Sequence, residues 1–124
     1  MAYKNFEQLE VWQKGCRLSV AIYKSLSTCK NYVFKDQITR SSISIASNIS
    51  EGAERSNTKE FILFLRYAKG SAGELRTQVY LAHQFGLISS EEKTLFLKEV
   101  KDISAMLTGL IKYLIKHLQK KTRP

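Results

Sequence analysis

Apolar residues recur at steps of three and four along nearly the whole chain, and the single proline, Pro124, stands at its last position. That period lays one face of a helix against a core, whereas a strand would alternate every second residue. The pattern predicts helices over about 6–28, 34–52, 58–85 and 90–121. In the first, Trp12, Cys16, Ser19, Tyr23 and Leu26 form the stripe, widened by Val20 and Ile22. The second, opening at Tyr32 or Phe34, aligns Ile38, Ile45 and Ile49, with Ser42 and Ala46 as small fillers. Arg40, Ser44, Asn48 and Glu51 take its polar side, and Gly52 follows as a C-terminal cap.

The third segment has the most regular stripe, Phe61, Leu65, Ala68, Ala72, Leu75, Val79 and Ala82. Its mean step of about 3.5 residues is that of left-handed bundle packing. Asn57-Thr58-Lys59-Glu60 resembles a capping box at its start. Gly70 and Gly73 lie off the stripe. A glycine costs an exposed helix about 1 kcal/mol, so a close neighbour, either another helix or another subunit, is expected there. Gly86 closes this helix, and Ser89-Ser90-Glu91-Glu92 opens the next with a capping box between Ser89 and Glu92. Phe96, Val100, Ile103, Leu107, Leu110 and Leu114 continue the period, joined by Ile111, Ile115 and Leu118. Four long helices with short connections predict an all-α fold, an antiparallel up-and-down four-helix bundle in one domain spanning 1–124.

A chain of 124 residues encloses one core. Its longest aliphatic or aromatic run, Phe61 to Leu65, is far short of the roughly 20 residues that span a bilayer. Met1-Ala2-Tyr3-Lys4 carries no secretory pattern, so a cytoplasmic protein without a membrane partner is expected. Cys16 and Cys29 lack the close spacing of redox or zinc sites and are expected to be reduced.

Charge changes the picture more. Lysine and arginine number 20 against 11 acids, a net charge of +9, which points to an anionic partner. At 100° per residue, Lys14, Arg17 and Lys24 share the outer face of the first helix, and Lys59, Arg66, Lys69 and Arg76 that of the third. Lys112, Lys116, Lys120 and Arg123 share a face of the fourth, with Lys121 beside them, and no acid follows Asp102. Phosphate contacts from such stripes carry no base information.

Candidate catalytic chemistry is sparse. His83 and His117 have no second ligand at helical spacing, so neither a metal nor a cofactor is expected; each is placed near a helix C-terminus, toward its dipole or solvent. The clustered glycines do not form a phosphate loop. Ser41, Ser42 and Ser44 have no base placed to activate them and read as packing residues. Glu51 and Glu54, next to Arg55, read as an ion pair or cap. A non-enzymatic protein is expected.

Three strings then stand out in order: Phe6-Glu7-Gln8-Leu9-Glu10-Val11-Trp12-Gln13-Lys14, Ile45-Ala46-Ser47-Asn48-Ile49-Ser50-Glu51-Gly52 with Arg55, and Glu60-Phe61 through Gly70-Ser71-Ala72-Gly73-Glu74-Leu75. Together they resemble the four-helix-bundle proteins encoded in intervening sequences of bacterial 23S ribosomal RNA genes, from about Phe6 to Leu118. A relative of that fold is the accessory variability determinant protein of diversity-generating retroelements. The resemblance implies a homopentamer, and for the retroelement relative a positive surface that binds nucleic acid and a reverse transcriptase. The matching positions are Trp12, Asn48, Glu51, Gly52, Arg55, Glu60, Gly70, Ser71, Glu74 and Leu75. Where the family often has two adjacent arginines, this chain has Thr39-Arg40.

Overall fold

A computed structural model describes residues 5–122, with side chains as far as Lys120. A 3-10 turn, Phe6–Gln8, precedes α1 (Glu10–Ser25), α2 (Tyr32–Glu54), α3 (Thr58–Gln84) and α4 (Ser90–Thr122), and no strand occurs among the described residues. Ser19 meets Ser42, Ser44 meets Ser71, His83 meets Ser90 and Ser25 meets Glu92. Second contacts across the same seams, Gly15 beside Ile45, Ser41 with Glu74, Tyr80 with Lys93 and Lys14 with Glu99, show residue numbers rising on one helix as they fall on the other, so every neighbouring pair is antiparallel. Each helix packs on its neighbours in sequence, and α1 closes on α4; among the described residues the backbones of diagonally opposite helices stay apart. The result is the four-helix architecture that the pattern predicts.

The core runs the length of that ring. The whole expected α3 stripe, Phe61 to Ala82, is buried, as are Ile38, Ile45 and Ile49 of α2 and Phe96, Val100, Ile103, Leu107 and Leu114 of α4. Each fully buried leucine or isoleucine contributes about 1.5–3 kcal/mol. In α1 the core face differs from expectation. Val11, Gly15, Leu18 and Ile22 point inward, together with Leu26 after the helix, while Tyr23 is 57% and Val20 52% exposed. Two adjacent faces of α1 are apolar, and the one that aliphatic side chains fill without a ring or hydroxyl wins the interior. Trp12, Cys16 and Ser19 are left half-buried on the flank toward α2.

Helix ends follow local chemistry. The Asn5 side chain accepts from the amide of Glu7 to cap the 3-10 turn, and extended Leu9 separates that turn from α1, so the first helix starts later than expected. It also ends earlier, at Ser25, before Leu26-Ser27-Thr28, where hydroxyls compete with the helical ladder. Asn31 accepts from the amide of Phe34, which lets α2 begin at Tyr32, and Asn57 accepts from the amide of Glu60 at the start of α3. Gly86, at φ 78, closes α3: its amide donates to the His83 carbonyl and the Leu87 amide to that of Ala82. Ser89 and Glu92 exchange the two hydrogen bonds of a capping box.

Gly52 is not a cap. It lies inside α2, which continues to Glu54, and a Cβ there would sit 2.7 Å from the Cβ of Phe64 and 3.0 Å from the Phe61 ring. Glycine is required because α2 and α3 touch backbone to side chain at this point. Gly70 and Gly73 show the opposite: a Cβ at either would meet nothing within 4 Å, so no neighbour among the described residues explains them.

Candidate nucleic-acid interface

The basic residues expected on outer faces divide into two groups. Lys14 faces inward toward α4. Once Val11, Leu18 and Ile22 define the core, it falls on the α4 flank, where its Nζ lies 2.8 Å from Glu99 and 4.0 Å from Asp102, with its side chain only 20% exposed. Asp102 also takes Lys98 at 3.2 Å. Arg17 and Lys24 remain exposed on α1. On α2, Arg40 is exposed and pairs with Asp36 at 3.1 Å. Arg66 and Arg76 project from α3 with Lys59, Lys69 is half-buried, and no carboxylate among the described residues lies within ion-pair distance of them.

On α4, Lys112, Lys116 and Lys120 are exposed on one face without an ion-pair partner among the described residues. At 1.5 Å per residue they span about 12 Å. The side chain of Lys121, and Arg123 altogether, lie outside the described residues. Lys101, also exposed and unpaired, belongs to the same stripe. Sequence reasoning passed over it, although steps through Ala105 and Gly109 lead from Lys101 to Lys112. Lys14 near the start of α1 reaches only the middle of α4, and the 3-10 turn packs on α1 and α2. Among the described residues, α3 is therefore the helix that flanks the C-terminal third of α4, and Lys112, Lys116 and Lys120 on its outer side are exposed.

The motif residues gather elsewhere, on the seam between α2 and α3. The Ser41 hydroxyl donates to Glu74, the Ser44 and Ser71 hydroxyls are 2.8 Å apart, and Asn48 Nδ2 donates to the Ser44 carbonyl at 2.9 Å. Arg55, the residue after α2, lies 3.3 Å from Glu51 and 3.5 Å from Glu60, with its guanidinium 4.9 Å above the Phe64 ring. Of the ion pair or cap expected of Glu51 and Glu54, the structure has an ion pair of Glu51 with Arg55. Above Ser41 and Glu74 the seam opens into a groove of about 470 Å³ shared with Gln37, Arg40, Ser44 and Gln78. The Gln78 Oε1 is buried without a hydrogen-bond partner. Trp12 sits apart on α1, edge-on to Phe6 with centroids 5.3 Å apart. It lines an apolar groove of about 430 Å³ with Cys16, Val20 and Ile43.

Neither region assembles a nucleophile with a base. Ser41 and Ser42 are buried, and Ser42 donates to the Thr39 carbonyl and meets Ser19. No group of three potential metal ligands forms among the described residues. Both cysteines are free, and burial pushes the Cys16 thiol up against the opposing influence of Arg17. His83 Nε2 lies 3.0 Å from the Ser90 hydroxyl, whereas His117 departs from the expected dipole or solvent role, its Nε2 buried and unpartnered. No helix among the described residues is long and apolar enough to cross a membrane.

The sequence model of the 23S rRNA-intervening sequence protein family matches residues 7–109. The chain belongs to that family. A solved structure of a protein with unknown function from the S23 ribosomal protein family of Bacteroides thetaiotaomicron is 29% identical, covers 82% of this chain and 98% of that one, and superposes with a TM-score of 0.77. No curated protein matches the chain. The family match takes in Trp12 and the whole α2–α3 seam but stops at 109, short of Leu118 and before Lys112. In this intervening-sequence protein the densest cationic stretch therefore lies beyond the matched residues.

Proposed function

We propose that this family member is a non-enzymatic, oligomeric protein that binds RNA or DNA, RNA foremost, through backbone phosphates and shape. The observation that carries this reading is the outer face of α4, where Lys101, Lys112, Lys116 and Lys120 stand exposed without carboxylate partners. Unpaired lysines release counterions when they meet phosphate, which gives affinity without sequence preference. Assembly as a pentamer, as the family resemblance implies, would multiply the +9 of each chain fivefold. Exposed Val20 and Ile43, and the bare backbone at Gly70 and Gly73, support contact with another subunit. Light scattering then returns about five times 14.2 kDa; a monomer contradicts the assembly.

Anisotropy titration of a labelled structured RNA across a salt series tests the binding. The reading predicts log affinity falling linearly with log salt, and affinity no better than millimolar at low salt, or a flat line, overturns it. The apolar groove around Trp12 supports a second reading, a scaffold docking an acidic or nucleic-acid-bearing protein, such as the reverse transcriptase of the retroelement resemblance. Pull-down from nuclease-treated lysate separates the two, since partners held by nucleic acid are lost and directly docked partners persist.

A further inference from the structure

The stripe on α4 carries a feature that phosphate binding does not use. Tyr113 lies beside the lysine stripe, between Lys112 and Lys116 in sequence, and is 54% exposed. Long side chains on a helix lean over the turn N-terminal to their own Cα, which for Tyr113 is the turn of Gly109. Gly109 is exposed, and a Cβ placed there would meet nothing within 4 Å. Mid-helix glycine is unfavourable, and no packing contact among the described residues requires this one. Its effect is to leave the surface beside the tyrosine ring clear. On the other side, His117 lies one turn on, its ring within 15° of parallel to that of Tyr113 and the centroids 6.4 Å apart. Half-buried, with Nε2 enclosed, His117 holds a fixed ring beside the exposed one.

We infer that Tyr113, opened by Gly109 and lying beside the stripe of Lys112 and Lys116, is a stacking platform for an unpaired base, and that the polyanion held by α4 is single-stranded nucleic acid. The inference rests on the phosphate-binding reading above and narrows it. A cationic groove that tracks the backbone, combined with an aromatic face for the bases, is the general solution for binding single strands without sequence preference. A duplex keeps its bases stacked inside and offers the ring nothing, while still offering phosphates to the lysines. Charge complementarity selects nucleic acid, and the ring selects the single strand.

The experiment is a pair of anisotropy titrations on the full chain, with a labelled single-stranded oligoribonucleotide and a duplex of the same length, for wild type, Tyr113→Ala and Tyr113→Phe. Wild type is expected to favour the single strand. Tyr113→Ala loses roughly tenfold in single-strand affinity at unchanged salt slope and leaves duplex affinity alone, while Tyr113→Phe stays near wild type. Gly109→Leu, which crowds the ring without altering charge or aromaticity, lowers single-strand affinity in the same direction. Equal wild-type affinity for both nucleic acids, with no effect of Tyr113→Ala, overturns the platform and leaves phosphate binding standing. Absence of salt-dependent binding to either nucleic acid overturns both.

Discussion

The α2–α3 seam and the C-terminal third of α4 treat their polar side chains in opposite ways. Along the seam Ser41 serves Glu74, Ser44 meets Ser71 and Asn48, and Arg55 stands between Glu51 and Glu60. The polar groups are largely spent on one another, and the helices close until only glycine fits at position 52. On α4 the lysines face outward with no carboxylate opposite, and Gly109 borders open space. One region fixes the register of the bundle. The other leaves its charge exposed, without an ion pair among the described residues. Apart from Trp12 and Gly70, the motif residues fall in the first and the densest cations in the second, so the residues that carry a family resemblance and those proposed to bind nucleic acid need not coincide.

Methyl groups added to two glycines break or sharpen this contrast most strongly. Gly52→Ala is expected to lower unfolding stability by about 1–3 kcal/mol, because Phe64 and Phe61 have to move. Gly109→Ala is expected to raise it by up to about 1 kcal/mol, since the helix gains propensity and meets no obstacle. Urea denaturation of both variants reads the difference, and equal effects would remove the distinction between a closed seam and an open face.

A smaller effect is expected at the acidic start of α4. Ser89→Ala removes the cap and costs about 1 kcal/mol in thermal unfolding. The Ser25 hydroxyl, then the Ser89 amide, hold the Glu92 carboxyl below the usual glutamate range. A depressed folded-state value stabilises the protein above the unfolded-state value, and that contribution fades as pH falls through the folded one. Melting temperatures between neutral and acid pH should therefore fall less steeply for Glu92→Gln than for wild type; parallel curves would show that Glu92 contributes nothing. The smallest effect belongs to the exposed Glu51–Arg55 pair, where Glu51→Gln should cost less than about 0.5 kcal/mol and vanish in high salt. A larger, salt-resistant loss would mark the seam as more than a register device.

How much of this was legible in the sequence depended on whether the cause was local. The α3 stripe from Phe61 to Ala82 could be read because its apolar residues recur without a break at helical spacing, although Ile62 beside it is buried as well. The caps at Asn57 and Ser89 could be read because donor and acceptor are three residues apart. On α1, Val11, Leu18 and Ile22 compete with Trp12, Cys16 and Val20, and a period cannot say which of two adjacent apolar faces meets the core. Gly52 passed for a cap because its reason, Phe64, lies on another helix. Lys14 looked outward because Glu99, its partner, is 85 residues away. Ser41 and Glu74, separated by 33 residues, were likewise invisible as a pair. Of the α4 surface, the lysines were legible as a stripe, whereas the value of Tyr113 depends on its exposure and on the empty space at Gly109.

The most direct test of the account is the salt dependence of RNA affinity for wild type and for the triple variant Lys112→Gln, Lys116→Gln, Lys120→Gln. If α4 supplies the phosphate contacts, the slope of log affinity against log salt becomes shallower by about 2 for a single strand, with the melting temperature unchanged. An unchanged slope and affinity would contradict the assignment of binding to this helix.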